Sequence, residues 1–109
     1  IVYKTFNFSK EIIQLYIDLK DEKVYELATQ LFRSGTSIGA NVEEAQAAQS
    51  KKDFIAKMCI SAKEAWETRY WLKLIDETHI SKKDVKSLLI EINEIINILT
   101  KIIKSSIDK

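Results

Sequence analysis

Few residues of this sequence have the type and spacing that catalysis or metal binding requires. The single histidine, His79, has no second histidine to complete a metal site and lies too isolated for a Ser–His–Asp triad. The single cysteine, Cys59, falls among apolar helical positions without a histidine to activate it, which favours a core or interface thiol. The acidic residues are scattered and lack the Glu-x-x-His repeats of metal-binding bundles. The sequence predicts no catalytic residue, no metal and no cofactor, so we expect a protein that is not an enzyme.

The tetrapeptide Ser-Lys-Lys-Asp occurs twice, at Ser50–Asp53 and at Ser81–Asp84. Both copies match the capping box that opens a helix. Lysines at a helix start oppose the macrodipole, whereas lysines together with the free N–H groups of the first turn could hold a phosphate backbone. The candidate nucleic-acid contacts are Lys51, Lys52, Lys57, Lys63, Lys82, Lys83 and Lys86. The alternative is that these are ordinary surface lysines and that the Asp of each motif supplies the cap.

Two glycines lie inside one helical pattern. The apolar stripe from Val24 to Ala45 keeps its phase through Gly35 and Gly39, which predicts one unbroken helix. A phosphate-binding glycine loop is excluded, since neither G-x-x-x-x-G-K-[ST] nor a strand-associated G-x-G-x-x-G is present. These glycines and their small neighbours therefore predict a narrow waist where another helix approaches closely.

A polar row runs beside that stripe at steps of three or four residues. Its members are Gln30, Arg33, Ser37, Asn41 and Glu44. Glu64 and Glu67 of the third helix lie on the same side as Ile60 and Trp71. If the two sides face each other, Arg33 pairs with Glu67, while Ser37 and Asn41 bond to the backbone or to each other. Because buried charges need partners, we interpret this row as a buried network that fixes helix register.

Composition restricts the fold class. The chain has 109 residues with 46% hydrophobic and 30% charged content, two glycines and no proline. Because so few residues favour tight turns, the composition excludes β-sandwiches, β-barrels and doubly wound sheets and favours a few long helices. The 17 Lys+Arg against 16 Asp+Glu give a net charge of +1, which argues against coating nucleic acid by bulk charge but leaves a local basic patch open.

Apolar periodicity and capping residues locate four helices. The predicted helices span about Ser9–Leu19, about 25 residues after an Asp21 cap, Lys51–Asp76 and Lys82–Lys104, with an extended arm over residues 1–6. Short connections make successive helices antiparallel. We therefore predict one all-α domain over residues 1–109, an antiparallel up-down four-helix bundle with long central helices 2 and 3. No apolar run reaches the roughly 18 residues of a membrane span and no leader pattern is present, so we expect no membrane association and a cytoplasmic location.

The helices carry more apolar surface than one bundle can cover. Trp66 and Trp71 project about 140° apart on the third helix, so both cannot lie on one stripe. The apolar residues of this helix form two arcs: Phe54, Ile55, Met58, Cys59, Ala62, Ala65, Trp66 and Tyr70 on one, and Ile60, Trp71 and Leu74 on the other, nearly opposite. Ile13 and Ile17 add apolar surface to the first helix. The candidate oligomer-interface residues are Ile60, Trp66, Tyr70 and Trp71. Self-association is the leading hypothesis. Coverage of both arcs by neighbouring helices, or a protein partner that grips these aromatics or the first helix, are the alternatives.

The segment Gln30–Leu74 carries a specific signature: Arg-Ser-x-x-Ser-Ile-x-x-Asn-Val-x-Glu over residues 33–44, then Ser-Lys-Lys-Asp-Phe over 50–54 and Lys-Glu-Ala-Trp-Glu over 63–67. This pattern resembles the small four-helix bundle protein family. That family includes the proteins encoded in intervening sequences of bacterial 23S ribosomal RNA genes, often labelled S23 ribosomal protein, and the accessory variability proteins of diversity-generating retroelements.

The resemblance implies an antiparallel bundle that assembles into a ring-like homopentamer. It also implies RNA or DNA binding by some members and, for the retroelement proteins, work beside a reverse transcriptase. The family motif corresponds to Arg33, Ser37, Asn41, Glu44 and Glu67 of this chain. Two features depart from the family: an alanine follows Glu44 where glycine is common, and the net charge is near neutral where nucleic-acid-binding members are strongly basic.

Overall fold

The computed structural model describes residues 1–108 as an antiparallel up-down four-helix bundle. Its helices are α1 (Val2–Asp21), α2 (Tyr25–Gln46), α3 (Lys51–Thr78) and α4 (Lys86–Asp108), with no strand among the described residues. Each helix packs against the helices on either side of it in the bundle, so α1 lies diagonally opposite α3. The bundle measures 46 × 20 × 20 Å. With 28 residues α3 is the longest helix, whereas α2 with 22 is no longer than α4 with 23.

The core follows the predicted stripes of α1, α2 and α4. Its largest fully buried side chains include Phe8, Ile12, Leu19, Leu31, Ile38, Met58, Leu72, Ile75, Ile92, Ile95 and Leu99. The stripe of α2 continues through both glycines as one helix, as predicted. Within residues 1–108 no buried side-chain nitrogen or oxygen lacks a hydrogen-bond partner.

The N-terminal boundary differs from the prediction. Residues 1–6 are not an extended arm, because α1 begins at Val2. Thr5 is 1% exposed and its hydroxyl donates to the carbonyl of Ile1 at 2.9 Å, so the polar residue that interrupts the apolar pattern is satisfied inside the helix. Asp21 is the last residue of α1 rather than a cap of α2. The turn between them uses Lys23, whose φ of 66° is left-handed.

The two Ser-Lys-Lys-Asp copies behave differently. Ser50 caps α3 as predicted, because its hydroxyl accepts from the Asp53 backbone N–H at 3.0 Å. The second copy does not open a helix at Lys82. Ser81 instead donates to the Glu22 carboxylate, which also accepts from the Lys82 backbone N–H at 2.8 Å. Helix α4 starts only at Lys86, whose N–H donates to Asp84 at 3.0 Å.

Glu22 therefore joins two loops that the sequence treats as separate. Its hydrogen bond from Ser81, together with the Lys82 N–H, lowers the pKa of the Glu22 carboxyl below its ordinary value. The carboxylate holds the turn between α1 and α2 against the connection before α4. The second tetrapeptide therefore joins two loops through hydrogen bonds to Glu22 and does not act as a capping box.

Helices α1 and α2 approach closely at the two glycines. A Cβ on Gly35 would lie 2.8 Å from Cγ2 and 2.9 Å from Cγ1 of Ile12. A Cβ on Gly39 would lie 3.2 Å from the carbonyl oxygen of Thr5. The predicted waist is thus the contact with α1, and its spacing leaves no room for a side chain at Gly35.

Helix α3 buries a face that the apolar pattern does not predict. Ser61 and Thr68 are fully buried towards α2, whereas Trp66 and Tyr70 are more than half exposed. The Ser61 hydroxyl donates to the Ile38 carbonyl at 2.8 Å, and the hydroxyls of Thr68 and Ser34 are bonded at 2.9 Å. Only the edge of the first predicted arc of α3 is core, where Met58 and Ala65 are buried. The buried face continues past that edge and adds the hydroxyl residues Ser61 and Thr68 to the apolar Leu72 and Ile75.

The seam between α1 and α4 is polar. Lys4 pairs with Glu94 at 2.9 Å. Glu91 faces Glu11 across the seam. Burial is the largest cause that raises the pKa of Glu91, to about 7, and the hydrogen bond and charge of Glu11 add to it. Lys4 opposes this shift, and Glu94 contributes a little to it. The folded state binds this proton more tightly than the unfolded chain, so the seam loses stability as pH rises from about 4.5 through about 7.

None of the helices described over residues 1–108 combines the length and the apolar content needed to cross a membrane.

Replacing Gly35 with alanine tests the close approach. Alanine favours a helix over glycine by about 0.5–1 kcal/mol, but its Cβ must displace the branched, fully buried Ile12. We expect a net loss of about 1–2 kcal/mol in the free energy of unfolding, measured by urea denaturation. The control Thr29→Ala, at an exposed position of the same helix, should lose little. A raised urea midpoint for G35A would contradict the assigned contact.

Candidate functional site

The residues of the sequence signature line a groove on the surface between α2 and α3. We call this the α2–α3 groove, formed by Gln30, Arg33, Ser37, Asn41 and Glu44 of α2 and by Ile60, Glu64, Glu67 and Trp71 of α3. Antiparallel pairing sets Arg33 against Glu64 and Glu67, and Glu44 against Lys57. Because the buried Ser34–Thr68 bond lies one residue inward from Arg33, the polar row is held just outside the core.

Arg33 is the centre of a charged network. Its Nη1 donates to Glu64 Oε2 at 3.1 Å and its Nη2 donates to Glu67 Oε2. The indole N–H of Trp71 donates to the same Glu67 oxygen at 3.0 Å. The predicted Arg33–Glu67 pair is therefore present, and the structure adds Glu64 and Trp71 to it.

The predicted burial of this network is wrong. The Arg33 side chain is 50% exposed, against 13% for Glu64 and 30% for Glu67. Burial alone would raise the pKa of Glu67, but hydrogen bonds from Trp71 and Arg33, with the charges of Arg33 and Lys63, hold that pKa below its ordinary value. Glu67 is thus ionised at neutral pH and presents a fixed charge pair at the protein surface.

The remaining signature residues on α2 are engaged locally. The Ser37 hydroxyl donates to the Arg33 carbonyl at 2.6 Å, and the Asn41 amide donates to the Ser37 carbonyl at 2.8 Å, as the sequence predicts. Glu44 accepts from Lys57 at 3.0 Å. Gln30 is exposed and, with Tyr25, Glu26, Leu27, Thr29 and Trp71, lines an open depression of about 570 Å³ at one end of the groove.

The seven lysines predicted to contact nucleic acid do not form one patch. Lys51 and Lys52 open α3, whereas Lys82, Lys83 and Lys86 lie beyond its other end, so about 40 Å separates the two groups at about 1.5 Å per residue. Three of the seven are in ion pairs: Lys57 with Glu44, Lys83 with Asp18 and Lys86 with Asp76. Lys63 lies apart from both groups, exposed on the middle of α3.

The four predicted interface residues also divide into two sets. Ile60 and Trp71 belong to the α2–α3 groove, whereas Trp66 and Tyr70 lie one turn apart on the side of α3 that faces away from the core. The two sets adjoin, because the Tyr70 and Trp71 rings meet edge to face with centroids 5.2 Å apart. The guanidinium of Arg69 lies 5.1 Å from the Trp66 ring. We call the surface formed by Lys63, Trp66, Arg69, Tyr70 and Lys73 the α3 outer face.

A third surface is apolar and lies on α1. The α1 apolar face consists of Tyr3, Phe6, Ile13 and Ile17, whose exposed fractions range from 41% to 79%. Lys10 lies 5.5 Å from the Phe6 ring and Lys20 lies 5.2 Å from the Tyr16 ring, so cations border this face. Sequence reasoning found Ile13 and Ile17 but missed Tyr3 and Phe6, because it placed them in an arm. Their helical spacing from Ile13 and Ile17 was the available signal.

The comparisons with known proteins agree with this architecture. A model of the 23S rRNA-intervening sequence protein family matches residues 1–101. The chain belongs to this family. A crystal structure of a protein with unknown function from the S23 ribosomal protein family, from Bacteroides thetaiotaomicron VPI-5482, is 43% identical to the chain with a TM-score of 0.89, and the match covers 95% of this chain and 99% of that one. No curated protein matches the chain.

In this member of the 23S rRNA-intervening sequence protein family, residues 1–108 bring together no group of three or more His, Cys, Asp or Glu side chains able to hold a metal ion. His79 adopts a left-handed conformation at the C-cap of α3 and is exposed. Cys59 is exposed on α3, not buried in the core. These two residues therefore lie at a helix end and on a helix surface, and neither adjoins the Arg33 network.

The Arg33 network predicts a pH-dependent loss of stability in Arg33→Met. At pH 7 this variant leaves Glu64 and Glu67 without their cation, and we expect unfolding to become easier by about 0.5–1 kcal/mol, a value limited by solvent screening. Since the pKa of Glu67 is lowered in the fold, the wild-type advantage is present above pH 4.5 and is lost as pH falls through that lowered pKa. Urea denaturation at pH 7 and pH 3 measures it, with Lys101→Met on α4 as control. An equal loss at both pH values would assign the effect to packing.

Proposed function

We propose that this protein is a non-enzymatic subunit of a homo-oligomeric ring, a homopentamer, which binds RNA or DNA as an accessory protein in the cytoplasm. The observation that carries the proposal is the pair of unpartnered surfaces on opposite sides of the bundle. The α1 apolar face leaves four large side chains more than 40% exposed, and Ile60 of α3 is 43% exposed. Contiguous exposed apolar surface is characteristic of an interface.

The positions of these surfaces favour a head-to-tail contact. Because α1 lies diagonally opposite α3, the α1 apolar face and the α2–α3 groove cannot meet within one chain. A contact between two different faces propagates from subunit to subunit and closes into a ring when the rotation allows it. The family resemblance supplies the number five.

Charge supports the same pairing. The cations that border the α1 apolar face, Lys10 and Lys20, would approach the side of the next subunit that carries Glu26, Glu64 and Glu67. Opposite charges at an interface fix the register of the contact and speed association. We therefore place Ile60 and Trp71 in this interface.

Nucleic-acid binding is the second part of the proposal. A net charge of +1 gives no bulk attraction, so binding depends on local cations. A ring repeats the Lys51–Lys52 group and the Lys82–Lys83–Lys86 group around its axis, which multiplies weak phosphate contacts by avidity. The family description connects these proteins with 23S ribosomal RNA genes, which makes RNA the first ligand to test.

The second candidate function is a scaffold for a protein partner, such as a reverse transcriptase, with no nucleic-acid role. The α1 apolar face favours it, because Tyr3 is 79% exposed and Phe6 is 57% exposed in the free subunit.

Self-association predicts the mass in solution. Light scattering should give about five times the 12.6 kDa chain mass. Ile13→Lys with Ile17→Lys places charge in the α1 apolar face and should lower the mass to that of one chain. The matched control Ile90→Lys changes an isoleucine that is 64% exposed on α4, outside both surfaces, and should leave the mass unchanged. A wild-type protein that stays monomeric at all concentrations would refute the ring.

Nucleic-acid binding predicts a salt dependence. Fluorescence anisotropy with a labelled RNA should show that the logarithm of the association constant falls linearly with the logarithm of the salt concentration, because phosphate contacts release counterions. Neutralising Lys51 and Lys52 to glutamine should weaken binding and reduce the slope. A ring that binds no RNA or DNA even at low salt would favour the scaffold.

A further inference from the structure

The α3 outer face alternates exposed aromatic rings with cations. Trp66 is 55% exposed and Tyr70 is 57% exposed, one turn apart on the helix. Lys63 precedes Trp66 by three residues and Lys73 follows Tyr70 by three, so both ammonium groups share the side of the rings. Arg69 stacks its guanidinium 5.1 Å from the indole.

Cations outnumber carboxylates on this surface. Of the other carboxylates of α3, Asp53 accepts from the Gln49 N–H at the helix start, Glu64 and Glu67 bind Arg33, and Asp76 binds Lys86. Among residues 1–108, Lys63 and Lys73 have no carboxylate oxygen within 4 Å, and Lys63 acts only through its charge on Glu67, one turn along the helix. Glu77, one turn beyond Lys73, marks the end of the cationic stretch.

We propose that the α3 outer face binds a single strand of nucleic acid, with bases stacked on Trp66 and Tyr70 and phosphates held by Lys63, Arg69 and Lys73. This inference rests on the proposed nucleic-acid function and names the site and the form of the ligand. Alternating aromatics and cations are how proteins bind single strands without reading sequence, because every base has a stacking face.

The geometry selects a single strand over a duplex. Trp66 and Tyr70 are about 6 Å apart along the helix axis, which suits two unstacked bases of one strand. In a duplex the bases are stacked on each other at about 3.4 Å and offer no free face to a side chain.

Charge also disfavours a second copy of the chain at this face. The apolar surface that the proposed ring assigns to a neighbouring copy is the α1 apolar face, which is bordered by Lys10 and Lys20. Pairing it with Lys63, Arg69 and Lys73 would set like charges against each other, whereas in the α2–α3 groove the two carboxylates of Glu64 and Glu67 exceed the single charge of Arg33. The α3 outer face is therefore left to a polyanion.

The test uses the full-length oligomer and a labelled oligouridine of about 12 nucleotides, within the usual span of single-strand sites. Oligothymidine of the same length and the duplex with oligoadenosine are measured alongside by fluorescence anisotropy. Trp66→Leu and Tyr70→Leu keep apolar surface and helix propensity but remove the rings, and each should weaken single-strand binding about tenfold. Ile90→Ala, which removes an exposed apolar side chain on α4 outside the proposed surfaces, should bind as wild type.

A charge variant checks the same site independently of the rings. Lys63→Gln with Lys73→Gln should reduce the logarithmic salt slope by about 1.4, at about 0.7 for each phosphate contact of a single strand. Circular dichroism and light scattering of each variant confirm that fold and mass are retained.

The outcomes separate this inference from the proposed function. Salt-dependent wild-type binding that Trp66→Leu and Tyr70→Leu leave unchanged overturns the stacking site and keeps the nucleic-acid role. Absence of wild-type binding to every probe overturns both. A fall in mass for Trp66→Leu or Tyr70→Leu would assign the face to contact between copies and overturn the inference.

Discussion

The packing of this bundle depends on the small side chains of α2, which set the distance to both neighbouring helices. On one side Gly35 lies so close to Ile12 that a Cβ has no space. On the other, the hydroxyls of Ser34 and Thr68 bond directly, and Ser61 bonds to the Ile38 carbonyl. Helices held this close cannot accommodate an indole between them. Trp66 and Tyr70 of α3 are consequently turned outward, whereas Phe54 and Trp71 stay partly buried at the margin of the core.

A net charge near zero conceals a strong separation of charge. Carboxylates collect in the α2–α3 groove beside Arg33 and along the α1–α4 seam, where Glu91 and Glu11 face each other. Lysines without an ion pair among residues 1–108 include Lys63 and Lys73 on the α3 outer face, Lys10 and Lys20 on α1, and Lys51 and Lys52 at the start of α3. Whole-chain composition averages these regions to +1 and so underestimates what a local surface attracts. The near-neutral charge is therefore compatible with a polyanion site of limited size.

The bundle also separates features that the sequence presents as equivalent. The two Ser-Lys-Lys-Asp segments have identical letters, yet Ser50 caps α3 while Ser81 donates to Glu22. The difference arises because Glu22 lies beside the second segment only in the folded chain. Likewise Trp66 and Trp71 belong to different surfaces, since five residues of helix turn them away from each other.

Helix number and the unbroken α2 were determined by the sequence alone, because helical period is a local property. The Arg33–Glu67 pair was predicted only on the condition that the two helix sides face each other, a condition that the packing meets. The sequence did not determine which face of α3 is buried, where α1 and α4 begin, or that the Arg33 network lies at the surface. Those depend on the distance between helices and on contacts between residues far apart in the chain. Apolar periodicity put Trp66 and Trp71 on two different arcs of α3, whereas the packed helix buries another face, on which Ser61, Ala65 and Thr68 lie beside Met58, Leu72 and Ile75. Tertiary packing, through the space it leaves, decided which residues became surface.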